Sequence, residues 1–256
     1  MLLSAWERER RQRVTLADVR AEFPGRAAYD VVVSLVRKGA LERIGRGLYI
    51  PSTFRSLTEP ETASSSVIAA QLLEGQTYYL GGLWALTFHR LTTQSHASIL
   101  DAFVTKKHRA RILGSARVVF HLLRPELFRY GLQSAQIENA SVRLSDPERT
   151  LLDLLDYPGV AGGLTSSIEF VQAAIPLVNE RQLVAYAVEG SRLSTCQRLG
   201  VLLERQGASA KSAAPLRKKV SQTSSMLSMV DGLPRRGELN ARWQVIENDE
   251  PARKGR

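Results

Sequence analysis

The amino-acid sequence predicts an α+β fold in two parts, and three observations carry the prediction. A chain of 256 residues suggests two modest domains, on an expectation of about one domain per 150 residues. Helix-stop and turn signals divide the first 51 residues into three helices and a hairpin. After them, strand-like runs come first and helix-like runs later, without the regular alternation of a doubly wound sheet. The expected organisation is a first domain over residues 1–55, a larger mixed α+β domain over 65–247 and a frayed tail over 248–256. A Ser-, Thr-, Glu- and Pro-rich stretch over 52–64 joins the two domains.

The first helix covers about residues 2–12, with Leu2, Leu3 and Trp6 on its apolar side. Thr15 opens the second as an N-cap, Asp18 follows near the positive helix end, and Leu16 and Val19 supply the apolar stripe. Pro24 and Gly25 stop it. The third helix runs over 26–38 and ends at Gly39, a residue suited to the left-handed position after a helix. Two short strands, 41–44 and 48–51, enclose the turn Gly45-Arg46-Gly47. Three helices followed by such a hairpin make a winged helix-turn-helix. Beyond it, helices are expected over 63–74, 82–90, 146–156, 166–175, 180–189 and 192–206. Strands are expected over 77–80, 99–104, 117–123, 142–144 and 241–247, and residues 206–220 read as loop or weak helix.

Composition narrows the function. The chain is 44% hydrophobic and 23% charged, so it can bury a core. Its one cysteine, Cys196, excludes a disulfide framework and a four-thiolate zinc site. The apolar runs are far shorter than the roughly 18 residues of a membrane span, and no signal-peptide pattern is visible, so the expected location is cytoplasmic. The net charge of +10 is unevenly distributed. Residues 1–55 carry 11 basic and 6 acidic side chains, residues 56–210 carry 14 of each, and residues 211–256 carry 10 basic and 5 acidic. Basic ends around a neutral middle point to a polyanionic partner or to a surface kept soluble by arginine.

In the third helix, Ala28, Val32, Leu35 and Val36 recur at helical spacing and are expected to face the core. The opposite face carries Arg26, Tyr29, Asp30, Val33 and Arg37. In a helix-turn-helix this face approaches base edges in the major groove, where arginine reads guanine and an apolar group meets the thymine methyl. Asp30 repels phosphate and is positioned to hold Arg26 instead. Arg43 and Arg46 flank the hairpin turn, and the glycines on either side of Arg46 allow close approach to a phosphate backbone or a minor groove. The first helix adds Arg8, Arg10, Arg11 and Arg13. The candidate contacts to double-stranded DNA are therefore Arg13, Thr15, Arg26, Tyr29, Val33, Arg37, Lys38, Arg43 and Arg46. A winged helix that serves only as a protein-contact module is the alternative.

Three stretches resemble the AbiEi-type antitoxin family of bacterial abortive-infection toxin–antitoxin systems. They are Arg43-Ile44-Gly45-Arg46-Gly47-Leu48-Tyr49-Ile50, then Asp146-Pro147-Glu148-Arg149-Thr150-Leu151-Leu152-Asp153-Leu154-Leu155 with Gly162-Gly163, and Arg198-Leu199-Gly200-Val201-Leu202-Leu203-Glu204. With Tyr79-Leu80-Gly81-Gly82 leading into Leu83-Trp84-Ala85-Leu86, the ordered set spans residues 10–207. The resemblance implies a DNA-binding domain that represses its own operon from inverted repeats. It also implies a second domain that counteracts a nucleotidyltransferase-like toxin, with or without direct contact. No cofactor is implied. The expected state is a monomer or weak dimer that pairs on DNA. The alternative reading is a winged-helix transcriptional regulator whose second domain senses a small ligand.

The middle motif also has a purely physical reading. Ser145 or Asp146 caps a helix, Pro147 suits its first position, and the four leucines form a buried seam. Arg149 and Asp153, four residues apart, share a face. They make either a surface ion pair or part of a polar antitoxicity patch with Arg198 and Glu204.

Enzyme signatures are not found: there is no G-x-S-x-G elbow and no Walker A loop. Gly114-Ser115 lacks the following acids that a nucleotidyltransferase uses to hold magnesium, and Val104 and Thr105 stand where a nuclease would need its acid. His89, His96, His108 and His121 are scattered without metal-ligand spacing, and no metal site is expected. The run Lys106-Lys107-His108-Arg109-Ala110-Arg111 reads as a solvated charge run or as a contact for nucleic acid or toxin.

Overall fold

Local chemistry at Thr15 organises the N-terminal unit. Its hydroxyl accepts from the Asp18 N–H at 3.1 Å, while the Asp18 carboxylate accepts from the Thr15 N–H at 2.6 Å. This capping box opens α1 (Leu16–Glu22) as the sequence predicts. The computed structural model describes residue 6 and residues 13–25, 27–51, 65–96, 98–113, 116–138 and 140–249. The expected first helix, the connection over 52–64 and Arg26 therefore lie outside the described residues, apart from Trp6, which is helical and buried. After α1 come α2 (Ala27–Arg37), β2 (Leu41–Gly45) and β3 (Leu48–Pro51).

The hairpin is one strand larger than expected. β1 (Val14–Thr15) pairs antiparallel with β3, which gives the order β1-β3-β2. Two residues are too few to show an alternating pattern, so the strand is invisible to periodicity. Trp6, Val14, Val19, Ala28, Val32, Leu41 and Tyr49 form the core of this unit. Val36, expected inside, is 37% exposed. It sits about 100° around the helix from Leu35, at the border of the buried stripe.

The second unit is built on a six-stranded mixed sheet in the order β6-β7-β5-β4-β9-β8. Its strands are β4 (Tyr78–Gly81), β5 (Ile99–Val104), β6 (Arg111–Leu113), β7 (Ala116–Leu122), β8 (Leu132–Ile137) and β9 (Ala140–Ser145). The pairs β4–β9 and β5–β7 are parallel, and the other three are antiparallel. The sequence reading missed β6 and β8, the two edges, because an edge strand needs no apolar alternation. One face of the sheet packs on α3 (Ser65–Leu72). The other face carries α4 (Gly82–Phe88), α5 (Pro147–Asp156), α6 (Leu164–Ala174), α7 (Glu180–Gly190) and α8 (Leu193–Arg205).

The C-terminal part is more ordered than expected. Residues 214–220 form α9 (Ala214–Val220), which resolves the loop-or-helix alternative over 206–220. Of the strand expected over 241–247, residues 241–244 form a turn and only β12 (Val245–Glu247) is extended. It pairs with β10 (Leu227–Ser228) and β11 (Glu238–Asn240) in a small sheet. The expected tail over 248–256 is corrected at its start. Asn248 is buried and exchanges hydrogen bonds with the Val230 backbone, and Asp249 pairs with Arg205 at 2.7 Å.

The two units share a core. Ile44 and Ile50, on the hairpin, are buried with Val67, Ile68, Leu73, Val118 and the sheet residues of the second unit. β2 therefore turns Leu41 into its own core and Ile44 into the neighbouring one. Arg111 on β6 donates from Nη1 to the Ile44 carbonyl at 3.2 Å, and Arg13 pairs with Glu74. The hairpin is a structural element of both units.

Candidate nucleic-acid interface

α2 presents the face that the sequence assigns to DNA. Ala28 and Val32 are buried, whereas Tyr29 is 59% exposed and Val33, Arg37 and Lys38 are also exposed. With Val36 turned outward, Tyr29, Val33 and Val36 form an exposed apolar stripe bordered by Asp30 and Arg37. Exposed apolar groups on a helix beside cations suit a groove lined with thymine methyls and phosphates.

The hairpin tip is fixed beside this helical pair. The Leu16 N–H donates to the Gly47 carbonyl at 2.9 Å, which ties the tip to the start of α1. Gly47 has φ +68°, in the left-handed region where a side chain is strained, so glycine closes the turn without cost. Arg43 and Arg46 are exposed, and Arg43 Nε donates to the Gly45 carbonyl at 3.2 Å. Two predicted contacts are otherwise engaged. Thr15 spends its hydroxyl on the α1 cap, and Arg13 is paired with Glu74.

The four residues assigned to an antitoxicity patch do not form one. Arg149 is 3% exposed and Asp153 is fully buried. Arg149 Nε donates to Asp153 Oδ1 at 2.8 Å, the Tyr79 hydroxyl donates to Asp153 Oδ2 at 2.9 Å, and Arg149 Nη2 donates to the same hydroxyl at 3.1 Å. The Tyr130 ring lies 4.6 Å from the Arg149 guanidinium carbon, a cation–π contact. Burial pushes the Asp153 carboxyl up to about 6, against the opposing pull of Arg149 and Tyr79. Burial likewise pushes the Tyr130 phenol up to about 12. This is a core ion pair, not the surface pair that the i,i+4 spacing suggests, because β4 brings Tyr79 across from 74 residues earlier.

Arg198 and Glu204 serve the C-terminal segment instead. Arg198 is buried and donates to the Met229 carbonyl at 2.9 Å, the Ser228 carbonyl at 3.1 Å and the Asp231 carboxylate at 2.9 Å. Glu204 accepts from the Trp243 indole N–H at 2.8 Å and from Arg242 at 2.7 Å. Trp243 lies against Gly200, where a Cβ would stand 2.2 Å from the ring. The sequence reading missed Tyr79 and Trp243 as partners of these charges; a lone aromatic carries no signal of what it will touch.

The remaining candidates are separate. His121 Nε2 lies 2.7 Å from the buried Asp101, His89 Nε2 lies 2.7 Å from the Ser145 carbonyl, and His108 Nε2 lies 3.0 Å from Gln76 Oε1. Burial pushes the Cys196 thiol up to about 11. Among the described residues, no group of three His, Cys, Asp or Glu side chains is placed to hold a metal ion, and no helix is long and apolar enough to cross a membrane.

No family model and no curated protein matches the chain. Among solved structures, it is similar to a crystal structure of the Rv2827c protein from Mycobacterium tuberculosis. The TM-score is 0.67 at 15% identity, over 95% of this chain and 89% of that one. The likeness is one of fold. It extends over both units and supports the mixed α+β architecture, and at this identity it carries no residue roles.

Proposed function

We propose that this chain is a cytoplasmic DNA-binding antitoxin that represses its own operon and counteracts a nucleotidyltransferase-like toxin. The observation that carries the DNA half is the exposed Tyr29–Val33–Arg37 face of α2 beside a hairpin tip that holds Arg43 and Arg46 in solvent. In this reading α2 enters a major groove, the tip tracks phosphate or minor groove, and two copies occupy inverted repeats. The antitoxin half is supported by the resemblance of the ordered motifs to the AbiEi-type family. Since Arg149, Asp153 and Arg198 are buried, the proposal gives them the task of holding the second unit together and leaves toxin opposition to its surface.

The test is a mobility-shift titration on the DNA just upstream of its own gene at two salt concentrations. The wild type is compared with Arg37→Ala plus Arg46→Ala, and a co-expression growth assay with the toxin runs in parallel. Tight, salt-sensitive binding that outlasts competitor DNA and fails in the variant is expected. Binding that is absent, or equal on any DNA, overturns the repressor half. A growth defect that the wild-type protein does not relieve overturns the antitoxin half.

A further inference from the structure

The basic run over residues 106–111 finds no role in the winged unit, yet the structure places it against that unit. The loop leaves the end of β5 and returns at β6. Three contacts pin its course. His108 stacks on Phe120 at 4.9 Å and meets Gln76 Oε1 at 3.0 Å, and Arg111 bonds the Ile44 carbonyl on the hairpin. Glu74, two residues before Gln76, is taken up by Arg13 of the winged unit. Lys106, Lys107 and Arg109 are exposed, and among the described residues none of them pairs with a carboxylate. The local field is positive: besides burial, the charges of Arg111 and Lys106 hold the His108 imidazole below its ordinary value.

A solvated charge run has no need of such anchoring. Here an aromatic stack, a side-chain amide and a backbone carbonyl hold a short cationic loop beside the hairpin that carries Arg43 and Arg46. The shared core around Ile44 and Ile50 keeps the two sets of cations in a fixed relation. We infer that Lys106, Lys107 and Arg109 form a second phosphate-binding surface, continuous with the hairpin, that grips duplex DNA beside the segment read by α2. The inference rests on the DNA-binding reading above and adds that the second unit is part of the DNA interface. These side chains contact backbone and not bases, so they lengthen the site and strengthen binding without changing the preferred sequence.

The experiment uses the full chain and a duplex spanning the DNA upstream of its gene. Lys106→Ala/Lys107→Ala/Arg109→Ala is compared with wild type and with a control, Lys211→Ala/Lys218→Ala, that removes exposed cations elsewhere. Binding is titrated over a salt series and the complex is footprinted with hydroxyl radicals. Each phosphate contact contributes about 0.9 to the slope of log affinity against log salt, so the triple variant is expected to lower the slope by about 2–3 and to shorten protection on one flank. The control is expected to keep both. A triple variant with wild-type slope and footprint overturns the inference while leaving the repressor reading intact, and directs the loop to an acidic protein partner or to plain solvation. A wild-type protein that binds no duplex overturns both.

Discussion

The winged unit and the helical half of the second unit treat the same residue type in opposite ways. Arg37, Arg43 and Arg46 stand in water, whereas Arg149 and Arg198 are buried and spend their donors on Asp153, Tyr79, backbone carbonyls and Asp231. A guanidinium left in solvent remains available to a polyanion. One that is buried and paired is committed to the fold, and removing its partner leaves a charge without compensation. Exposed and buried arginines in one chain therefore predict two kinds of phenotype, loss of binding and loss of stability.

The largest expected effect is at the buried pair. Asp153→Ala strands the Arg149 guanidinium and is expected to destabilise the fold by about 3–5 kcal/mol in a denaturant titration. A loss under about 1 kcal/mol would break the comparison by showing that water reaches the cluster. Next is Gly200→Ala, which drives a methyl into the buried Trp243 ring and is expected to cost about 1–3 kcal/mol. A variant of wild-type stability would mean that the C-terminal segment moves away freely from α8. Thr15→Ala removes the α1 cap and is expected to cost about 1 kcal/mol while lowering DNA affinity only through the fold. Should affinity fall more than tenfold with stability unchanged, Thr15 touches DNA directly. The smallest stability effect belongs to Arg37→Ala plus Arg46→Ala, expected within about 0.5 kcal/mol of wild type. A Tm shift of many degrees there would move these cations from the binding class to the structural one.

Cys196 sharpens the contrast between inside and outside. It is fully buried, its Sγ donates to the Ala187 carbonyl at 3.3 Å, and burial raises its thiol to about 11. The native protein at pH 8 is expected to resist a thiol-modifying reagent that labels it promptly after denaturation. Fast labelling of the folded chain would show that the α7–α8 packing opens.

Much of the winged unit was legible because its signals are local. The Thr15–Asp18 cap, the Pro24-Gly25 stop, the Gly39 terminus and the Gly45-Arg46-Gly47 turn all act within a few residues. The helices of the second unit were legible for the same reason, as with Asp146 and Pro147 opening α5. The exposed α2 face followed from periodicity, with Val36 misplaced at the stripe border. The edge strands β6 and β8 were not, although each forms a hairpin with the strand that follows, because they lack apolar alternation, and the two-residue β1 was not, because it exists only through its distant partner β3.

What the sequence by itself determined is where most helices begin and end, which face of α2 is exposed, and how charge is divided along the chain. Tertiary structure alone decided which charges are inside. Spacing puts Arg149 and Asp153 on one helix face, but whether that face meets water or Tyr79 depends on how β4 and α5 come together. It also decided that Ile44 belongs to a second core and that a basic loop lies 67 residues away in sequence yet one hydrogen bond away in space. Local propensity acts over the length of a turn, whereas burial and charge pairing depend on the whole fold; only the former can be read along a line.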